Sequence, residues 1–569
     1  MIKGLARSLG AILVLIFFME EGYCQNEKGR LLNVMDFQAV GDGTTDDTAA
    51  IQEAISQATP GDTVVIPAGT YLVKSLGLKS GINIKGEGML VQRIEGQKEG
   101  VTNEKQNSSS PLFRGHQIRD VYLSINAQTV YEAAYFSASE HITIDQSTLL
   151  GDPSNPLSFS GLLFYGCENV AIKKTSISYY GAPRELPDIY QRGTAIRVLS
   201  SKLIKINDCE ISRNGENGIF LHDTPDVAVN KNVISKNGMS AIQVAFGTSG
   251  RERNYYFTDN LMEENAADAI DINNRSDRPH WDINCHIEDN ISRNNGFVKG
   301  QSTPDGSGIA TLINLSGVTM SNNIAEGNNR PALYIENCGT ISASGNQADN
   351  QVEVVLQFDN LILEDNSFGS VSLLANVNGK KLSMTDNRLY SMSLPNGIKV
   401  DSLILINNLI SQASLNFNMR GNVKLVENTI NSHSKDGAIL LVKVNSALLE
   451  RNIITSMGSH AISTRKTAEN VEILRNDIKS VNSCIFDNGA KGLRVIGNKL
   501  LSLEGGNFRH TLVSRSPNHL VLTQNEHRTG PENITIYLEG KGTAKIAAEN
   551  ILSGAVEYGT VNVKTSLDQ

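Results

Sequence analysis

Residues 214–274 contain NGIFLHD (217–223), SAIQVAF (240–246) and DAIDINN (268–274), three short segments with one hydrophobic pattern. In the last, Ile270 and Ile272 alternate with Asp271 and Asn273. Successive side chains on a strand point to opposite faces, so the isoleucines share one face and the polar pair the other. The same alignment turns Ile196, Val198, Ile219, Leu221, Ile242, Val244, Leu333 and Ile335 inward. It leaves Arg197, Phe220, His222, Gln243, Asp271, Asn273, Tyr334 and Glu336 on an outer face, where chemistry can be assembled.

The pattern recurs outward from this stretch. VAVNKNVI (227–234), CHIEDNIS (285–292), LILEDNSF (361–368), LSMTDNRL (382–389), LILINNLI (403–410), VKLVENTI (423–430), ALLERNII (447–454), VEILRNDI (471–478) and LRVIGNKL (493–500) each alternate apolar positions, then place an asparagine and another apolar residue. Their spacing of roughly 20 to 34 residues is a solenoid period. Asparagine tolerates left-handed backbone and bonds to local main chain, so these residues predict stacked turns joined by a ladder. Asn232, Asn260, Asn290, Asn323, Asn346, Asn366, Asn387, Asn408, Asn428, Asn452, Asn476 and Asn498 fit it, with Ser147, Thr175 and Cys209 in the aligned place of earlier turns. Stacked coils lie about 4.8 Å apart, so aligned side chains can meet one elongated ligand.

Coil length breaks the symmetry. Between Thr175 and Asn323 the coils carry extra residues, including YYGAPRELPDIYQRG (179–193), GTSGRERNYYF (247–257), NNRSDRPHWD (273–282) and GFVKGQSTPDGSG (296–308). Insertions leave a coil as loops, and loops on a rigid scaffold commonly carry function. The later coils place Leu440, Ser463, Phe486 and Asn488 at the matching outward positions, which puts the expected site in the first half.

Composition sets further bounds. Charged residues at 20% and hydrophobic residues at 40% are ordinary for a globular chain, and a net charge of −9 argues against a general nucleic-acid binder. Lys3 and Arg7 precede an apolar run over 9–18, the layout of a secretory leader and too short for a membrane span. We expect a signal peptide over 1–24 and a secreted or periplasmic product. Cys24 leaves a lipid-anchored form open, although Glu21, Gly22 and Tyr23 match a lipobox poorly. The other cysteines are widely spaced without a CxxC pair, so Cys209 and Cys285 read as buried thiols.

After the leader, Asp46 or Asp47 is placed to cap a short helix with Ile51, Ala54 and Ile55 on one face, followed by strands over 63–66 and 70–73. GDGTTDDTAAIQEAI (41–55), IPAGTYLV (66–73) and INIKGEG (82–88) resemble the opening segment of pectate-lyase-like proteins that act on polysaccharides. The resemblance, over 37–88, implies an all-β, single-stranded, right-handed parallel β-helix with a short N-terminal capping helix. Residues 25–90 then form the start and cap of the helix. Residues 91–569 form coils continuous with them, interrupted by a polar excursion over 91–111.

The first-half loops and outer strand face gather Arg184, Arg192, Arg197, Arg251, Arg253, Arg275, Arg278 and His280. Guanidinium groups engage carboxylates bidentately, so such a concentration in an acidic chain points to an anionic ligand such as a uronate polymer. Tyr179, Tyr180, Tyr190, Tyr255, Tyr256 and Trp281 offer flat surfaces for sugar rings, and Gln243, Asn273 and Tyr334 complete the expected contacts. For β-elimination, Arg197 would neutralise the uronate carboxylate while His222 or a nearby tyrosine moves the protons. Hydrolysis would instead use Asp268 and Asp271 with Asp223, although the NTD and GHG motifs of polygalacturonase-like enzymes are missing. The same scaffold would also serve a uronate epimerase or a non-catalytic glycan-binding solenoid. No cofactor is expected. Calcium stays open through Asp223, Asp226, Asp268, Asp271 and Asp277, which lack a contiguous binding signature. Neither the sugar nor the oligomeric state is legible in the sequence.

Overall fold

The computed structural model describes residues 29–93, 110–152, 160–181, 193–274, 281–296, 307–395, 397–503, 510–529, 534–547, 549–558 and 562–565. The expected leader with Cys24 and most of the polar excursion lie outside them. Alternating apolar residues produce short strands, and each strand pairs in parallel with its counterpart one coil away, as Ile219 with Ile242 and Ile242 with Ile270. About 19 coils stack this way into the expected parallel β-helix. All the inward residues named from the alternation are sealed in one apolar column running through the stack.

Among the described residues the single α-helix is Thr48–Gln57. It buries Ile51, Ala54 and Ile55 against the first coils, as its periodicity predicts. The expected caps divide differently. Asp46 accepts the Thr48 N–H at 3.1 Å, whereas Asp47 turns back to accept the N–H groups of Val40 at 2.7 Å and Gly41 at 3.2 Å. Asp47 therefore ties the preceding turn and makes no side-chain cap.

The asparagine ladder is continuous. Each side-chain amide donates to the next asparagine's oxygen, as Asn387 to Asn408 at 2.9 Å, and to a backbone carbonyl, here Leu363 at 2.8 Å. The ladder runs on through Asn525 to Asn550, beyond the residues named from the repeats. A second ladder, Asn214, Asn237, Asn265, Asn295 and Asn328, lines the next corner of the long coils. Such pairings satisfy buried turn amides and carbonyls that would otherwise lose water without replacement. From Asn260 to Asn323 ladder partners are 30 and 33 residues apart, but from Asn346 to Asn428 only 20 or 21. The second ladder ends at Asn328, next to this contraction.

Cys167, Cys209, Cys285, Cys338 and Cys484 are free and buried. Burial pushes the Cys209 thiol up to about 12, which matches the reading of a packed, unreactive group.

Candidate functional site

Four consecutive strands, Thr194–Leu199, Ile219–His222, Ile242–Ala245 and Ile270–Asn273, bring the predicted outer residues into two columns. One column runs Arg197, Phe220, Gln243, Asp271, Thr311 and Tyr334; the other runs Leu199, His222, Ala245, Asn273, Ile313 and Glu336. His222 and Asn273 thus share a column two storeys apart, roughly 10 Å along the axis. Asp271 stands beside Asn273 on its own strand.

The face is less open than strand alternation alone implies. Arg197, Gln243, Asp271 and Asn273 expose only 7, 5, 8 and 8% of their surface. Polar groups stacked at coil spacing reach one another. The Asn217 amide donates to the Gln243 oxygen at 2.8 Å, and the Gln243 amide donates to Asp271 at 3.0 Å. The Arg197 guanidinium pairs with buried Glu216, donates to Thr194 Oγ1 at 2.7 Å and lies 4.7 Å from the Phe220 ring centroid. A buried, paired guanidinium is a structural tie, which leaves the expected direct contact between Arg197 and a substrate carboxylate without open access.

His222 is half-buried beside Phe220, its ring nearly parallel to it with centroids 6.4 Å apart. Its Nδ1 lies 3.1 Å from the Ala245 carbonyl oxygen. A carbonyl only accepts, so Nδ1 carries a proton and, in the neutral tautomer, Nε2 holds the lone pair. Among the described residues the buried side-chain oxygen of Asn273 has no hydrogen-bond partner. An unmatched buried amide is costly, and at a polar face it is a place for a ligand group.

The carboxylates named for hydrolysis are otherwise engaged. Asp268 accepts from the Ser307 N–H at 2.6 Å, Ser307 Oγ at 2.7 Å and Thr311 Oγ1 at 3.1 Å, which clamps the next coil. Asp223 pairs with Arg251 at 3.0 Å. Burial pushes the Asp223 carboxyl up, but hydrogen bonds from Ser249 and Arg251 outweigh it and hold the group below the usual range. Among the described residues no group of three or more His, Cys, Asp or Glu gathers as a metal ion would require. Asp277 lies outside them.

The aromatic expectations separate. Tyr180 and Tyr255 are fully buried, against the expectation of sugar platforms, because both point into the coil rather than away from it. Tyr255 donates to the Thr224 carbonyl at 2.8 Å. Trp281 is half-buried and tied to the wall, with its indole N–H 3.1 Å from the Glu252 carbonyl oxygen and its ring 5.0 Å from Phe246. Tyr334 donates to Glu336 at 2.7 Å, and its hydroxyl is pushed up first by burial and then by Glu336. Arg184, Tyr190, Arg192, Arg275, Arg278 and His280 lie outside the described residues. The residues that sequence reasoning missed are Glu216 and Asn217, in the turn before their strand, and Thr194, the first residue of its strand, so alternation reveals none of them.

Residues 31–300 match the family model described as "Rhamnogalacturonase A/epimerase, pectate lyase-like". Mannuronan C5-epimerase AlgE1 of Azotobacter vinelandii is 43% identical over 83 residues, covering 12% of this chain and 6% of that protein. Alginate lyase 7 of the same organism is 36% identical over 107 residues, 16% of this chain and 12% of that protein. The chain spans at most 19% of the length of the first curated relatives it matches. The solved family 28 exopolygalacturonase of Yersinia enterocolitica is similar at 12% identity and a TM-score of 0.27, over 95% of this chain and 79% of that one. Among the described residues no helix is long and apolar enough to cross a membrane, which says nothing of a β-barrel. Parallel coils, one N-terminal helix among the described residues and a family model matched over 31–300 make the chain similar to the pectate-lyase-like right-handed parallel β-helices.

Proposed function

We propose that the chain is an exported carbohydrate-active enzyme that removes the proton α to the carboxylate of a uronate unit in a polysaccharide. The observation that carries this reading is the pairing, on one column, of the His222 Nε2 lone pair with the partnerless Asn273 amide oxygen two storeys away. A sugar ring between them meets a base on one side and a polar amide on the other. Nε2 takes the carbon-bound proton, the electron pair forms a carbon–carbon double bond as the bond to the glycosidic oxygen breaks, and the leaving oxygen takes a proton from solvent water. Arg197 acts indirectly, holding Phe220 beside His222.

A second reading, return of a proton to the opposite face to give the epimer, uses the same base, and the likeness to mannuronan C5-epimerases favours it. Hydrolysis is weakened because Asp268 and Asp223 are already engaged. The test is product analysis on polygalacturonate and polymannuronate. We expect ultraviolet-absorbing unsaturated ends that are lost in His222→Ala, and a rate that a chelator leaves unchanged. New reducing ends without that absorbance would replace the proposal by hydrolysis, and altered sugar configuration without chain cleavage would select the epimerase.

A further inference from the structure

The same sheet face continues past these coils, through nine further pairings, to Ile485–Asn488. At about 4.8 Å per storey that is roughly 43 Å from Ile270–Asn273. A second group of side chains stands there. Arg465, Asn488 and Arg515 follow one another in one column, and Ser463, Phe486, Val513 and Tyr537 in the next. The His460 ring stacks on Phe486 with centroids 4.5 Å apart, and the Arg515 guanidinium lies 5.3 Å from the Phe486 centroid. Two coils on, His510 stacks on Tyr537 with centroids 5.6 Å apart.

The charge on this patch is one-sided. Arg515 pairs with Glu539 at 2.8 Å, both partly exposed. Arg465 and Lys466 are exposed, and no carboxylate among the described residues lies within 4 Å of either. Lys466 runs beside Gly489, next to Asn488. His460 Nδ1 accepts the Ser483 N–H at 3.2 Å, so the neutral ring carries its proton on Nε2. Burial, with Arg465 and Arg515 nearby, pushes His460 down to about 4, so it stays a neutral donor at ordinary pH. Three cations and a neutral donor thus face two carboxylates, Glu539 and, beside Tyr537, Glu557, on a chain of net charge −9.

We infer that this patch is a second binding site for an acidic polysaccharide, gripping the polymer some distance from the coils around His222. Cations spread over three storeys suit an extended chain with repeated carboxylates better than a single small anion, because Arg465 and Arg515 stand two coils apart, roughly 10 Å. The inference rests on the proposed function, since the polymer held here is the one acted on near His222.

The test uses the full chain with polygalacturonate and polymannuronate as probes, measuring retention in affinity electrophoresis and KM on polymer and on tetrasaccharides. Arg465→Gln and Arg465→Gln/Arg515→Gln are the variants; the first alters only an exposed side chain and leaves the fold intact. We expect polymer retention to fall and polymer KM to rise, about tenfold for the pair, with tetrasaccharide kcat unchanged and the effect shrinking with added salt. Unchanged retention and KM in an active protein would overturn the second site and leave the proposed function standing. Equal retention of single-stranded DNA of the same charge would overturn the assignment to a polysaccharide. A wild-type protein that neither retains nor alters any polyuronate would remove both proposals.

Discussion

At the scale of single residues, alternation told which side chains leave the core but not how far they reach water. Arg197 was legible as outward, yet it ends under the turn of the next coil because Glu216 is placed there to receive it. Removing one partner leaves the other charge buried, so Glu216→Gln should lower stability by about 3 to 5 kcal/mol, while Arg197→Met/Glu216→Leu should cost much less. Urea melts of the three proteins check this. If Glu216→Gln is instead neutral, the pair does not tie the two coils together. His527 supplies a pH prediction. Its Nδ1 contacts Thr511 Oγ1 at 2.7 Å, its buried Nε2 has no partner among the described residues, and burial pushes it down to about 4. The unfolded chain, titrating near 6.5, binds that proton more readily. The stabilisation is therefore complete above about pH 6.5 and is lost as pH falls towards 4, by about 3 kcal/mol. Urea midpoints measured between pH 7 and 4 should show this slope, and His527→Asn should flatten it.

At the scale of elements, the turn asparagines were the most readable feature, because one chemistry repeated at one position needs no knowledge of contacts. Asn387→Ala would strip the Asn366 N–H and the Leu363 carbonyl of their partners inside the wall. At about 1 to 3 kcal/mol for each unsatisfied group, a loss of about 2 to 6 kcal/mol is expected in thermal or urea melts. Asn387→Asp should fare no better, since it keeps the acceptor, loses the donors and buries a charge. The second ladder did have a signal: Asn237, Asn265, Asn295 and Asn328 each stand five residues after an asparagine of the first. It was hidden because the short later coils lack that corner, so the spacing is not uniform along the chain. The tyrosines of the insertions were misplaced for the opposite reason. Tyr180 sits just past the end of the strand Ser176–Ser178 and Tyr255 opens the strand Tyr255–Thr258, and at strand ends the sequence does not mark which way a side chain turns.

At the scale of the whole molecule, neighbours touch only neighbours, so stability is carried from coil to coil. Backbone amides of the short coils between Asn346 and Asn428, flanked on both sides by complete ladder bonds, should exchange with solvent more slowly than those near the C-terminal end, around Ile551–Leu552. Hydrogen-exchange mass spectrometry reads this directly, and uniform protection would show that the stack opens as one unit. The ladder also makes length a free variable. Every rung between Asn346 and Asn428 offers the same donor upward and the same acceptor downward. Excising residues 366–386 would rejoin Asn346 to Asn387 with like meeting like, shortening the wall by one course of masonry while leaving the surfaces at either end intact.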